Sequence, residues 1–160
     1  MNFYNYMLII QQEAMKAIIK KSINIGYQID EVNKVVFLAD PTGQCCFRIP
    51  KSLFVLDVSK LKEMTSLVDM YHSAMANGHS IDVTPEIIQQ GKSTQYRKLY
   101  DSENDLEIWI NNKFLGYFKG NKKVMYNYFD YKGSKIVFAY SFENNACEVL
   151  GITVRQKPKR

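Results

Sequence analysis

Few residues in this chain of 160 could do chemistry, and most of them stand at the wrong spacing for it. Gly91-Lys92-Ser93 has the ending of a phosphate-cradling glycine loop, but that motif needs a glycine five residues before Gly91, where Glu86 stands. It also needs a buried parallel strand leading into a helix N-terminus, whereas Thr94 onward reads as extended. His72, His79, Cys45, Cys46 and Cys147 include no Cys-x2-Cys or His-x3-His pair, and adjacent strand residues such as Cys45 and Cys46 point to opposite faces. A serine or cysteine nucleophile needs a histidine base beside it, and the two histidines fall within a predicted helix and next to Gly78. Glu103 and Asp105 lie in a charged turn, where solvation accounts for them. The expectation is a protein that is not an enzyme and uses no cofactor or metal.

One constellation survives, and it is basic and aromatic: Lys113, Lys119, Lys122, Lys123, Tyr126, Tyr128, Tyr131, Lys132 and Lys135. Lysines neutralise phosphates and release counterions, and a tyrosine ring can stack on an unpaired base. Tyr126 and Tyr128 read more simply as half-buried sheet positions. Residues 1–110 hold 11 Lys/Arg and 13 Asp/Glu, whereas residues 111–160 hold 10 and 3. Such asymmetry points to an acidic partner for the C-terminal third, either DNA or RNA or an acidic protein surface. A plainer account is that the lysines keep an apolar sheet soluble and its edge unpaired.

To place these side chains on one surface, the region from Leu106 to Val154 must be a folded antiparallel sheet. Leu106, Ile108 and Ile110 alternate with Glu107 and Trp109, Asn111 or Asn112 opens a short helix through Phe118, and Gly120 stops it. Strands are predicted at 123–129, 135–140 and 146–154, with a turn at Gly133. Ile136, Phe138 and Tyr140 oppose Val137 and Ala139, so the strand is apolar on both faces, and each face needs a cover. One cover is expected to be helical and the other a second layer or a second subunit, which makes a homodimer an alternative.

Upstream, Phe3, Met7, Ile10, Ala14 and Ile18 form one stripe of a helix from residue 1 or 2 to about Ser22, with Gly26 as its stop. Strands 34–39 and 44–49 flank an Asp40-Pro41-Thr42-Gly43 turn. Asp57 opens a helical region over 58–64, followed by a helix over 66–77 with Leu67, Met70, Tyr71 and Ala74 inward and Gly78 as its end. Ile81–Ile88, interrupted by Pro85, reads as an edge strand, and 94–100 as the next strand. With 46% hydrophobic residues the chain suits one domain over 1–155, followed by a basic tail over 156–160. Its apolar runs, such as Met7 to Ile10, are far below the roughly 20 residues of a membrane span, and three cysteines suit reduced thiols. A cytoplasmic protein without membrane association is expected.

Asn111-Asn112-Lys113-Phe114-Leu115-Gly116-Tyr117-Phe118, the hairpin after it, and Leu150-Gly151-Ile152-Thr153-Val154-Arg155 together resemble the last domain of bacterial DNA sliding clamps. They also resemble small proteins of phages and mobile elements in low-GC Gram-positive bacteria. Motifs carry the likeness over the final third of the chain, and the order of elements carries it over the rest. The resemblance implies an α+β fold, an antiparallel β-sheet with two main helices, clamp-domain-like. If its helices lined DNA as clamp helices do, Lys16 and Lys20, with Lys21, would carry the contact. Thr153 stands where the clamp signature has proline, and one domain stands where a DNA-encircling ring needs several, so fold is implied more strongly than processivity. The function implied by the mobile-element likeness is a non-enzymatic protein that modulates a nucleic-acid-acting complex of the host cell, as an anti-CRISPR inhibitor of a defence nuclease does. Its partner would be a host protein or ribonucleoprotein complex. Direct binding of DNA or RNA is the alternative.

Overall fold

A computed structural model describes residues 5–21, 24–117, 124–141 and 146–155, so Phe3, Phe118, Gly120 and the 156–160 tail lie outside the described residues. Helix α1 (Asn5–Lys21) buries Met7, Ile10 and Ala14 as their spacing requires, and Tyr6 and Gln11 join them. Gly26 is not the helix stop that the sequence suggests; it begins strand β1 (Gly26–Asp30), at a point where a Cβ would collide with the Met64 sulfur. Strands β2 (Val35–Ala39) and β3 (Cys46–Pro50) form the predicted hairpin, with Gly43 at φ 71° in its turn.

The predicted helix over 58–64 shrinks to a single 3-10 turn, Val58–Lys60, in which the Asp57 carboxylate accepts the Ser59 amide at 3.0 Å. The sheet edge captures the residues after it. Lys62 and Met64 donate to the Ile25 and Tyr27 carbonyls, making β4 (Lys62–Glu63), so one costly helical turn never propagates. Helix α2 (Leu67–Asn77) then buries Leu67, Tyr71 and Ala74, with Met70 partly buried, as predicted.

Strand β5 (His79–Gln90) has a neighbour on each side in the strand order, yet among the described residues its Pro85 stretch pairs with one strand alone, as an edge strand does. Its first residues pair with β8 (Val124–Tyr131) and the remainder with β6 (Thr94–Asp101), and Pro85 falls within the register shift between Val83 and Ile87. Strand β7 (Leu106–Asn111), the short helix α3 (Lys113–Gly116), β9 (Ser134–Ser141) and β10 (Ala146–Arg155) complete the described residues. Lys132 and Gly133 both have positive φ, the backbone of a two-residue hairpin turn between β8 and β9.

The fold is α+β, as expected. Strands run in the order β4-β1-β2-β3-β10-β7-β6-β5-β8-β9, and β9 returns to pair with β10. The pairings make two antiparallel-rich sheets that share β5 and β10. The two-sided apolar strand β9 is covered on both faces within the chain. Phe138 packs with Leu67, Tyr71 and Ala74 of α2, whereas Val137 and Ala139 share a core with α1 and with Leu99, Ile108 and Ile110 of the other sheet. Cys45, just before β3, and Cys46, its first residue, divide between the same two cores, as neighbours in extended chain should. Among the described residues no helix is long and apolar enough to cross a membrane.

Four buried polar side chains hold the connections: Gln11, Asp30, Asp40 and Asp101. Asp30 accepts the Val32 and Asn33 amides and the Asn33 side chain; Asp101 repeats this with Glu103 and Asn104, and adds the Tyr128 hydroxyl at 2.6 Å. Each of these Asp-x-x-Asn turns ends on a residue with positive φ, Lys34 or Asp105. Gln11 donates to the Met7 and Leu53 carbonyls and accepts the Val55 amide, clamping α1 to the loop after β3. Replacing Gln11 with leucine removes the hydrogen-bond partner of two part-buried loop groups. Urea unfolding of Gln11→Leu should show a loss of about 1–2 kcal/mol, with faster amide exchange at Val55. Hydrogen bonds from the Asn104 side chain and the Tyr128 hydroxyl hold Asp101 below the ordinary carboxylate range. A carboxyl favoured in its charged form adds stability that is complete above the unfolded value of about 4 and is lost as pH falls through the lower folded value. Stability followed by urea titration should fall below about pH 4, and Asp101→Asn should make that fall shallower.

Candidate binding surface

The Asn111 side chain accepts the Lys113 amide at 3.1 Å, starting α3 and sending the Phe114 ring into the core. The turn leaves Lys113 on the side facing α1. Two ring contacts on one phenylalanine set that approach: Tyr6 of α1 lies 6.2 Å from Phe47, and Tyr117 meets Phe47 edge-on at 5.3 Å. Tyr117 also donates its hydroxyl to Glu13 at 3.1 Å.

Between α1, α3 and the 40–43 turn lies a groove of about 390 Å³, lined by Lys16, Lys20, Lys113, Glu13, Ala17, Asp40, Pro41 and Thr42. Three ammonium groups thus meet two carboxylates, and both carboxylates are already engaged. Asp40 is buried and accepts the amides of Thr42, Gln44 and Cys45 together with the Thr42 hydroxyl. Glu13 takes the Tyr117 hydroxyl. Lys113 stands 3.8 Å from Asp40, whereas among the described residues Lys16 and Lys20 have no carboxylate partner. Burial, and then the Glu13 charge, pushes the Tyr117 hydroxyl well above the ordinary phenol range. The arrangement can hold an anion at its rim.

The other predicted residues fall elsewhere. Tyr131, Lys132 and Lys135 sit at the β8–β9 hairpin end, and each is used locally. Tyr131 donates to Asp69 at 2.8 Å, Lys132 lies 5.3 Å over the Tyr131 ring, and Lys135 pairs with Asp130 at 2.9 Å. A tyrosine held in this way is poorly placed to stack on a base. Tyr128 is buried and Tyr126 half-buried against the main core, which is the sheet role expected of them. Lys119, Lys122 and Lys123 lie outside the described residues. The predicted basic set therefore divides, and the part that converges is Lys113 with Lys16 and Lys20.

Sequence reasoning missed the groove's floor, the 40–43 turn, because Asp40 reads as an ordinary turn residue. Among the described residues no three His, Cys, Asp or Glu side chains gather as a metal ion would need. No protein-family model, curated protein or solved structure matches the chain.

The Tyr117–Glu13 contact gives a direct check on this geometry. Removing the carboxylate takes away one of the influences that keep the phenol protonated and leaves burial in place. In an alkaline titration followed by tyrosine ring NMR, Tyr117 should ionise above the ordinary value of about 10, and Glu13→Gln should move its midpoint down without restoring that value.

Proposed function

We propose that this protein is a non-catalytic binding module whose α1–α3 groove receives acidic groups of a macromolecular partner. One observation carries the reading: Lys16, Lys20 and Lys113, from two helices far apart in sequence, line a single groove in which the carboxylates are already occupied. The positive balance of residues 111–160 supports it, because a field of that sign draws anionic partners and speeds their encounter. The resemblance to clamp domains and mobile-element proteins extends the reading to a target: a nucleic-acid-acting complex of the host, inhibited in the manner of an anti-CRISPR protein. Two helices on antiparallel sheets are what that likeness calls for.

The test is binding to a purified CRISPR effector ribonucleoprotein, to its guide RNA alone and to duplex DNA, each titrated against salt. The expected result is saturable binding to the complex that falls about tenfold or more in the Lys16→Glu, Lys20→Glu, Lys113→Glu variant. Binding to the RNA or DNA alone, with a log–log salt slope of about one per phosphate contacted, would assign the groove to nucleic acid instead. Full binding by the charge-reversed variant would remove the groove from the function.

A further inference from the structure

Helix α1 carries more large apolar side chains than its buried side uses. Leu8, Met15 and Ile19 are 51%, 48% and 74% exposed, and their spacing of seven and four residues sets them in one stripe spanning about 16 Å of helix. Gln11 lies one turn from both Leu8 and Met15. Its amide grips the Leu53 carbonyl and the Val55 amide, bringing the loop against this flank of the helix. The loop's own Leu53 and Val55 are also exposed, at 36% and 69%. Helix stripe and loop thus make one apolar surface, and Lys16 and Lys20 rim it on the side of the groove already described. Large apolar side chains grouped on one flank, rather than scattered singly, are the pattern that interaction surfaces show.

We infer that this surface docks an amphipathic helix of a protein partner, with aliphatic residues along one face and carboxylates on the flank that meets Lys16 and Lys20. The inference rests on the binding-module reading above and names the partner's recognition element. Nucleic acid fits poorly, since the stripe offers aliphatic carbon and no aromatic ring for a base to stack on. A second copy also fits poorly. The one acidic residue of α1 is Glu13, already engaged by Tyr117, so paired copies would bring lysines together without carboxylates to offset them. An acidic amphipathic helix satisfies both halves of the surface, its apolar face lying along Leu8, Met15 and Ile19 as one helix packs its ridges against another.

The experiment uses the full chain and two synthetic helical peptides with the same leucine face, one with glutamates on its flank and the other with lysines. Fluorescence anisotropy should show the glutamate peptide binding saturably and the lysine peptide about tenfold more weakly. NMR should show the Met15 and Ile19 methyl resonances moving with the glutamate peptide. The Ile19→Gln, Val55→Gln variant, changed at the two most exposed positions, should bind about tenfold more weakly with an unchanged thermal melt. The inference is overturned if neither peptide binds, if both bind equally, or if that variant binds as the parent does. It is also overturned if anionic phosphatidylglycerol vesicles take the surface while the peptides do not, or if the same substitutions abolish a dimer seen by sedimentation. Because the variant keeps every lysine, a ribonucleoprotein interaction lost on charge reversal but kept here would leave the broader reading standing and sink this one alone.

Discussion

Two strands have to serve two sheets at once, and the architecture is set by how they do it. In β5 the ladder changes partner from β8 to β6, and Pro85 sits inside the three-residue interval where Val83 and Ile87 fall out of step. A proline inside a continuous ladder would cost a hydrogen bond; here it occupies the interval where the ladder is already broken. Strand β10 makes the matching change at the other side, pairing with β3 and β9 and then with β7 at its end, with register shifts between Cys147 and Val149 and between Val149 and Ile152. Irregular pairing lets a strand bend, and two bent strands fold one sheet across the other. The enclosed face carries Leu99, Ile108, Ile110, Val137 and Ala139, and α1 completes the same core.

This constraint explains which parts of the fold could be read from the sequence. The stripes of α1 and α2, the 40–43 turn, the 132–133 turn and the two-sided strand β9 are local, because period and turn chemistry act over a few residues. Helix α1, α2 and the two hairpins stand where that local reading puts them. Elements decided by distant partners were not legible. Strand β4 exists because Ile25 and Tyr27 offer carbonyls to a segment more than thirty residues away, overriding a capped start at Asp57. Gly26 resembles a helix stop until Met64 is placed against it. Pro85 marks a stretch paired on one side, but the exchange of partners at Ile81 and Asp82 has no local signal.

The candidate surface was legible in residue type and not in grouping. Lys113 sits near the strand lysines in sequence, yet α3 turns it toward α1, about a hundred residues earlier, where Tyr6 and Tyr117 meet on Phe47. Nothing local in residues 111–118 announces that turn toward α1. Tyr131 and Lys135 show the opposite case. Their types suit a nucleic-acid surface, but Asp69 and Asp130 stand within hydrogen-bond reach and the hairpin consumes its own polarity.

The buried aspartates show why formal charge is a poor map of this surface. Asp30, Asp40 and Asp101 contribute fully to the acidic balance of residues 1–110, but each is buried and directs its oxygens at the amides of its own turn, so none presents its carboxylate at the surface. Glu13 is likewise occupied by a phenol. Along α1 itself Lys16, Lys20 and Lys21 outnumber Glu13, so this helix is cationic although residues 1–110 as a whole are not. Beside them, Gln11 uses both ends of its amide on the loop, one buried polar side chain fixing an apolar wall next to a basic rim. Cation and hydrocarbon side by side are the ground for the helical protein partner inferred above rather than a purely anionic polymer, because phosphate gains nothing from leucine.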